Sequence, residues 1–170
     1  MSRGFTLIEM MVAVAVFSLL VAAGSSAFVS SIKAQRQSLA TQEVLDQTSY
    51  LMEYVSKALR MAKKDITGMC TETAKINYLF KDQCLKFVNY HGECQRFCLE
   101  GSRLKDENDN FLTSDNLTVV SFLVGLLGQE QPPLDYRQPS VAVFLEIQGR
   151  EGANIKIQTT ISQRNPDVQK

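Results

Sequence analysis

The chain has 170 residues, and its 18 Lys and Arg are balanced by 18 Asp and Glu, so the formal net charge is zero. A dedicated nucleic-acid-binding protein normally shows a basic excess, which this composition lacks. The single histidine, His91, excludes multi-histidine metal sites and most histidine-dependent catalysis. Length and composition therefore predict a single folded domain without the signature of a large multi-step enzyme.

The first predicted element is an apolar helix close to the N-terminus. Residues 5–29 are almost all apolar or small, and the charges are concentrated beyond Lys33. Roughly 25 helical residues span about 37 Å, enough to cross a bilayer. Glu9 is an acid inside this stretch, and a carboxylate costs about 3 kcal/mol at the bilayer centre and less near the interface. The segment is a signal peptide cleaved between residues 22 and 27, a plain anchor in which Glu9 reaches the interface, or a helix in which the acid has a function.

The residues around this acid favour the third interpretation. The run Gly4-Phe5-Thr6-Leu7-Ile8-Glu9 follows a short basic leader and opens the apolar helix. It resembles the cleavage and methylation motif of type IV prepilins and pseudopilins over roughly the first 30 residues. The resemblance implies cleavage after Gly4 by a prepilin peptidase, N-methylation of Phe5, and pairing of Glu9 with the free amine of a neighbouring subunit. Burying two opposite charges in an apolar filament core costs far less free energy when they are paired than when each is alone. The pairing would also fix the axial register between subunits, because a shift would leave both charges unpaired.

The helix is predicted to continue to Lys64, because residues 30–64 contain neither proline nor glycine. Apolar residues recur at helical spacing and form a stripe wide enough to pack on a sheet: Val44, Leu45, Leu51, Met52, Val55, Ala58, Leu59 and Ala62. Four cations lie in the last two predicted turns: Lys57, Arg60, Lys63 and Lys64. Positive charges there interact favourably with the negative end of the helix dipole. Gly68 is the predicted stop. The cluster is interpreted as a solvated helix end, with a phosphate or DNA contact as the alternative.

After Gly68 the pattern becomes β-rich. Strands are predicted at 76–80, 85–90, 95–100, 117–127, 141–148 and 153–161, with a polar loop at 105–115 and a proline-containing loop at 129–139. The fold class is therefore α+β: a long N-terminal helix, transmembrane in its first half and amphipathic in its second, packed on an antiparallel β-sheet head, as in the pilin fold that the resemblance implies. We divide the chain into a leader (1–4), a hydrophobic helix (5–29), an amphipathic helix (30–66) and a head (67–170).

All the cysteines, Cys70, Cys84, Cys94 and Cys98, lie in the predicted head. An even count on the outer side of a membrane favours two disulfides, for which three pairings exist. A turn centred on His91 would place Cys84 opposite Cys98 and leave Cys70 with Cys94. A four-thiolate zinc site and free thiols are the alternatives, although the spacings do not form two close pairs.

Other motifs give weaker signals. The segment 106–110 has oxygen-bearing side chains at alternate positions, as in a calcium loop, but Phe111 and Leu117 occupy the places of the expected glycine and acid, which favours a solvated turn. His91 beside Gly92 is interpreted as an exposed turn residue. The sequence contains no nucleophile elbow, phosphate loop or metal-binding helix motif, so we predict no catalytic site, no metal and no cofactor.

The resemblance implies a structural role rather than an enzymatic one. Residues 159–165 are similar to the last strand of J-type minor pseudopilins and W-type minor pilins. We therefore expect a minor pilin or pseudopilin that helps initiate or cap a type IV pilus-like filament. Its implied partners are other pilin subunits, the prepilin peptidase, an inner-membrane assembly platform and, before assembly, membrane lipid. The implied location is the bacterial inner membrane, single-pass with the head outside the cytoplasm, and then the filament.

The alternative function is a binding module that is anchored in the membrane or carried at a filament tip. Such a module would recognise a surface, DNA or a secretion substrate. The loop at 129–139 and the acidic loop at 105–115 would then be the candidate contacts. An anchored enzyme is the third possibility, and no residue supports it.

Overall fold

The structure, a computed structural model, describes residues 4–129 and 137–164. The chain divides into two compact units, Met1–Leu39 and Ala40–Lys170. The elements are helix α1 (Leu7–Arg60) and strands β1 (Tyr78–Lys81), β2 (Cys84–Val88), β3 (Cys94–Glu100), β4 (Arg103–Lys105), β5 (Thr118–Leu127), β6 (Ser140–Gln148) and β7 (Asn154–Ser162). A long N-terminal helix with antiparallel sheets confirms the α+β prediction and is consistent with the pilin fold.

In the first unit, the described residues 4–39 bury no side chain. Large apolar side chains point outward on successive sides of the helix, since Leu19 and Leu20 are 73% and 67% exposed. The hydroxyls of Ser18 and Ser25 donate to the carbonyls of Val14 and Val21, four residues earlier, at 2.8 and 2.7 Å. These polar groups are satisfied within the helix, which is the condition for placing them in an apolar medium.

In the second unit, the helix from Ala40 onward packs against both sheets. Its buried positions recur at helical spacing: Ala40, Val44, Thr48, Leu51, Met52, Val55 and Leu59. This spacing confirms most of the predicted stripe. Leu45 is an exception, because it is 44% exposed and lies outside the core.

The head contains two antiparallel sheets, with strand orders β1-β2-β3-β4 and β5-β6-β7. Strands β6 and β7 form a hairpin that pairs Gln148 with Asn154, and they lie close to the strands predicted at 141–148 and 153–161. Strand β4 was not predicted, because its three residues lie in a charged stretch assigned partly to a loop. All three of its residues pair with β3, and its central Leu104 is only 1% exposed.

Helix α1 ends at Arg60, four residues before the predicted end at Lys64. Its last carbonyl groups accept hydrogen bonds from residues of the head. The Tyr78 hydroxyl donates to the Leu59 carbonyl at 2.8 Å, and the Arg164 N–H donates to the Arg60 carbonyl at 2.8 Å. The Lys63 N–H donates instead to Val88 in β2. The helix therefore ends where tertiary partners satisfy its free carbonyl groups, well before Gly68.

Candidate assembly site and the loops of the head

The predicted cleavage junction lies just before the helix. Residues 4–6 are non-helical, and the helix begins at Leu7. The Phe5 side chain is 82% exposed, and among the described residues no atom beyond the chain neighbours of Gly4 lies within 4 Å of a Cβ placed there. In the described chain the Gly4–Phe5 bond is therefore open to a peptidase, although cleavage and methylation there stay predictions.

Glu9 and Thr6 form a capping box at the start of the helix. The Thr6 backbone N–H donates to Glu9 Oε2 at 2.9 Å, and the Thr6 hydroxyl donates to the same oxygen at 3.0 Å. In return, the Glu9 N–H donates to the Thr6 hydroxyl at 3.3 Å. This reciprocal pattern satisfies N–H groups that the first helical turn leaves without an internal partner. The spacing of Thr6 and Glu9 in the sequence is the signal for it.

The Glu9 carboxylate lies at the start of an apolar helix face. A shallow hollow along this face is lined by Ile8, Val12, Ala13, Val16, Phe17 and Leu20 in addition to Glu9. The lining residues other than Glu9 carry no hydrogen-bonding side chain. A second chain that covered this face would therefore remove water from Glu9 and leave Thr6 as its own-chain donor, so a positive group on that chain would have a strong electrostatic reason to pair with Glu9.

The head contains two disulfide bonds, Cys70–Cys94 and Cys84–Cys98. Cys84 and Cys98 are direct cross-strand partners in β2 and β3, with Cα atoms 4.0 Å apart. The turn between these strands includes His91, and its position set this register in the sequence analysis. Cys70–Cys94 attaches the segment after the helix to the start of β3. With the four sulfur atoms bonded in pairs, the thiolate zinc alternative is not realised in this structure.

Asp65 organises the segment between α1 and β1, and the sequence analysis missed it. Its two carboxylate oxygens accept six hydrogen bonds, from the backbone N–H groups of residues 67, 68, 70 and 71 and from the hydroxyls of Thr67 and Thr71. Asp65 is only 3% exposed. The available signal was an aspartate followed by threonine and glycine, which is typical of a side-chain-capped turn.

The hydrogen bonds also set the charge state of this carboxyl. Burial alone raises the pKa of Asp65, but donors from the backbone of Thr71, Cys70 and Gly68 outweigh burial and hold this pKa well below its usual range. Gly68 has a φ of +75°, and a Cβ there would lie 2.7 Å from the Ala74 nitrogen. Glycine is therefore required in this turn, although it does not end the helix.

The weaker motifs occupy ordinary structural positions. Both oxygens of Asp106 accept hydrogen bonds from its own loop, from the N–H groups of Asn108 and Asn110 and from the Asn110 side chain. His91 is exposed in the β2–β3 turn with its ring centroid 3.6 Å from that of Tyr90, as a turn residue should be. Within the described ranges, no group of three or more His, Cys, Asp or Glu side chains could hold a metal.

Two predicted features reach beyond the described residues. Positions 130–136 of the candidate contact loop at 129–139 lie outside them, as does Asn165 at the end of the segment that resembles the last strand of minor subunits. Within that segment, β7 ends at Ser162 rather than continuing to Asn165. Gln163 leaves the strand to donate from its side chain to the Ala62 carbonyl at 2.7 Å.

Comparison with known protein families gives a match at the N-terminus. The family model described as the prokaryotic N-terminal methylation motif matches residues 1–25. No curated protein and no solved structure matches the chain. Helix α1 is long and apolar enough to cross a membrane. The motif indicates a protein of the type IV pilin or pseudopilin type, a class of structural subunits processed by a prepilin peptidase and assembled with other pilins. Together with the apolar helix, it indicates single-pass membrane anchoring.

Proposed function

We propose that the protein is a minor pilin or pseudopilin, which helps initiate or cap a type IV pilus-like filament after cleavage between Gly4 and Phe5. The observation that carries this proposal is the Glu9 carboxylate, held by Thr6 in the first turn of an exposed apolar helix. A helix that is apolar on all sides would expose those side chains to water in a soluble domain, whereas a filament buries it among identical or similar helices.

The geometry supports a mechanism in which Glu9 changes partner during assembly. Before assembly, Thr6 satisfies the carboxylate in the helix cap. Cleavage after Gly4 would create an amine at Phe5, which N-methylation leaves positively charged. When water is excluded, this amine on a neighbouring chain stabilises Glu9 more than a hydroxyl can, since an opposite charge offsets desolvation best.

The head supports the rest of the assignment. Its two disulfides suit an oxidising compartment, which favours a head outside the cytoplasm and an N-terminus inside. Residues 1–4 would be the leader, 5–29 the assembly helix, 30–66 the amphipathic helix and 67–170 the head. The size of the head and its cysteines favour a minor over a major subunit. The chain would act with the prepilin peptidase, an inner-membrane assembly platform and other pilin subunits.

The test is the substitution Glu9→Gln, which keeps the size of the side chain and one acceptor oxygen for the Thr6 cap but removes the charge. The matched control is Glu53→Gln, at an exposed acid on the same helix. We expect both variants to keep the disulfide-bonded head, but Glu9→Gln to reduce the chain recovered in the sheared filament fraction about tenfold or more, because one buried charge pair is lost. Recovery of Glu9→Gln at the wild-type level would contradict the proposed pairing.

A further inference from the structure

The Cys70–Cys94 disulfide lies in the wall of an open hollow in the head. The hollow has a volume of about 470 Å³, and its lining includes both cysteines together with Lys63, Lys64 and Asp65. Cys94 is exposed, whereas Cys70 is only 6% exposed. The rate of thiol–disulfide exchange depends on which sulfur an incoming thiolate can reach. Access from the hollow therefore favours attack at Cys94.

The backbone register places a lysine on the same face as Cys94. Lys63 pairs with Val88 across an isolated bridge, and Val88 pairs with Cys94 in the ladder between β2 and β3. Directly paired residues turn their side chains to the same face, and neighbouring strands lie about 4.8 Å apart. Lys63 and Cys94 therefore share one face, with their backbones about 10 Å apart and Val88 between them.

The lining of the hollow carries more positive than negative charge. Lys63 is exposed and Lys64 is half-buried, and within the described ranges neither forms an ion pair with a carboxylate. Asp65 is 3% exposed, and both of its oxygens accept hydrogen bonds from its own loop. Glu93, which precedes Cys94, is exposed in the turn and does not line the hollow. Two cations therefore lie near the disulfide, against one anion whose oxygens are already occupied.

The second disulfide has different surroundings. Cys84 and Cys98 are half-buried in the two central strands of a four-stranded sheet. Their other partners in the ladder are lysines, Lys81 and Lys105, and each of these lysines forms an ion pair with a glutamate. An incoming thiolate therefore meets less access and less uncompensated positive charge at Cys84–Cys98 than at Cys70–Cys94.

The structure can also accommodate the opened bond. The Cys70 sulfur lies 3.3 Å from the Phe87 carbonyl oxygen, so a Cys70 thiol could donate a hydrogen bond there without moving. The hydrogen bonds that the Asp65 carboxylate accepts do not involve either sulfur atom. Opening the disulfide therefore removes one of the two ties of the loop and leaves the other in place.

We propose that Cys70–Cys94 is a thiol–disulfide exchange site that a dithiol oxidoreductase opens at Cys94. A thiolate of the partner attacks Cys94 Sγ, the bond to Cys70 breaks, and Cys70 leaves as a thiolate that takes up a proton. The second thiolate of the partner then attacks the mixed disulfide and releases Cys94, which is protonated in turn. The partner departs with its own disulfide, so two electrons have passed from the dithiol to this chain.

The two lysines assist this exchange in two ways. Positive charge near the hollow attracts the incoming thiolate, and it stabilises the thiolate that leaves as Cys70. A partner with two thiols completes the reaction by itself, whereas a partner with one thiol leaves Cys94 blocked until a second molecule arrives. The inference does not rest on the proposed function, because the exchange needs only the folded head.

The first test exposes the folded full-length chain, in detergent, to reduced glutathione and stops the reaction with iodoacetamide. Peptide mass spectrometry then shows which cysteine carries glutathione and which has been alkylated as a free thiol. We expect glutathione on Cys94 and a free thiol at Cys70, formed about tenfold or more faster than Cys84–Cys98 opens. Glutathione mainly on Cys70, equal or faster opening of Cys84–Cys98, or no opening of Cys70–Cys94 would overturn the inference.

Reduced thioredoxin provides the dithiol oxidoreductase in a second arm of the test. It should convert Cys70 and Cys94 to free thiols while Cys84–Cys98 stays closed. A thioredoxin variant that lacks its second cysteine should instead remain attached to Cys94 as a mixed disulfide. Attachment at another cysteine, or no reaction with either form of thioredoxin, would contradict the proposed exchange.

Substitution of the lysines tests the electrostatic part of the proposal. Lys63→Gln with Lys64→Gln should slow opening by glutathione, which is negatively charged, about threefold more than opening by neutral mercaptoethanol. The matched control is Lys33→Gln with Lys57→Gln, at two exposed lysines that do not line the hollow, and it should leave both rates unchanged. The same loss of rate in both double variants, or with both reagents, would show that Lys63 and Lys64 do not attract the thiolate.

Discussion

At the residue scale, the Asp65 side chain accepts six hydrogen bonds from backbone and hydroxyl donors of residues 67–71. A carboxylate that accepts backbone and hydroxyl donors on both oxygens can replace the regular hydrogen bonds that a loop lacks. The turns at Gly68 and Thr71 therefore depend on a charged group with almost no access to water.

Replacement of this group should be costly. Asp65→Asn keeps the size of the side chain but turns an NH₂ group toward backbone N–H donors, so some of them lose their acceptor. We expect the free energy of unfolding to fall by about 2–4 kcal/mol. Urea unfolding of the detergent-solubilised chain, followed by circular dichroism, measures this change. Asp46→Asn, at an exposed acid, should change stability by about 0.5 kcal/mol or less, and equal effects of the two variants would contradict the account.

The low pKa of Asp65 also predicts the direction of the pH dependence. An aspartate in the unfolded chain has a pKa of about 3.9, and the folded-state pKa lies well below that value. Above about pH 4 the carboxylate contributes its full stability; as the pH falls further, the unfolded state takes up a proton first and the free energy of unfolding decreases. Wild type should lose stability between about pH 4 and pH 2, and Asp65→Asn should lose less.

Glu72 also has a low pKa, of about 2, because Lys81 and Lys86 donate to it. Its side chain lies in solvent, so it should contribute little to the pH dependence of stability.

At the element scale, the segment between α1 and β1 is ordered by two devices, the Asp65 hydrogen bonds and the Cys70–Cys94 disulfide. The disulfide closes a segment with a sequence separation of 24, and that of Cys84–Cys98 is 14. Strands β2 and β3 are already joined by their ladder, whereas the Asp65 loop has no ladder on most of its length. The two disulfides should therefore differ in what their loss releases.

Removing Cys70–Cys94 by the double substitution Cys70→Ser/Cys94→Ser should increase amide hydrogen exchange at residues 67–71 about tenfold or more and leave β2 and β3 protected. The cost in global stability should be about 3 kcal/mol by the loop-closure argument. Cys84→Ser/Cys98→Ser is the matched control, with a similar global cost but no selective exchange at 67–71. Unchanged exchange in the first variant would show that Asp65 alone holds the loop.

Much of this architecture was predictable from local sequence patterns. The apolar helix, the β6–β7 hairpin and the cross-strand position of Cys84 and Cys98 follow from spacing alone. The helix end did not, because it depends on partners far away in sequence, and strand β4 did not, because its three residues lie in a charged stretch. Tyr78 and Arg164 satisfy the last helical carbonyls, whereas β4 pairs with β3 and buries Leu104. The Thr6–Glu9 cap is readable from its spacing, whereas the six contacts of Asp65 require the folded loop.

At the scale of the whole molecule, the core residues that the structure describes all lie from Ala40 onward. The described residues 4–39 contribute no buried side chain. The second unit should therefore be stable without the apolar segment, and that segment should serve anchoring and assembly rather than folding.

A chain that begins at Gln35 tests this division. We expect it to be soluble, to form both disulfides and to unfold within about 4 °C of the detergent-solubilised full-length chain, a shift equivalent to about 1 kcal/mol or less. Differential scanning calorimetry of both chains measures the midpoint. A truncated chain that aggregates or unfolds far below the full-length chain would show that the head needs the N-terminal unit.

The central claim is that this chain is processed as a pilin-type subunit, and mass spectrometry of its N-terminus, on protein isolated from the native membrane, tests this claim most directly. We predict that the mature chain begins at N-methylated Phe5. A dominant form that retains Met1, or one that begins near Ser25, would contradict the assignment, because neither makes Glu9 the fifth residue of a chain with a methylated N-terminal amine.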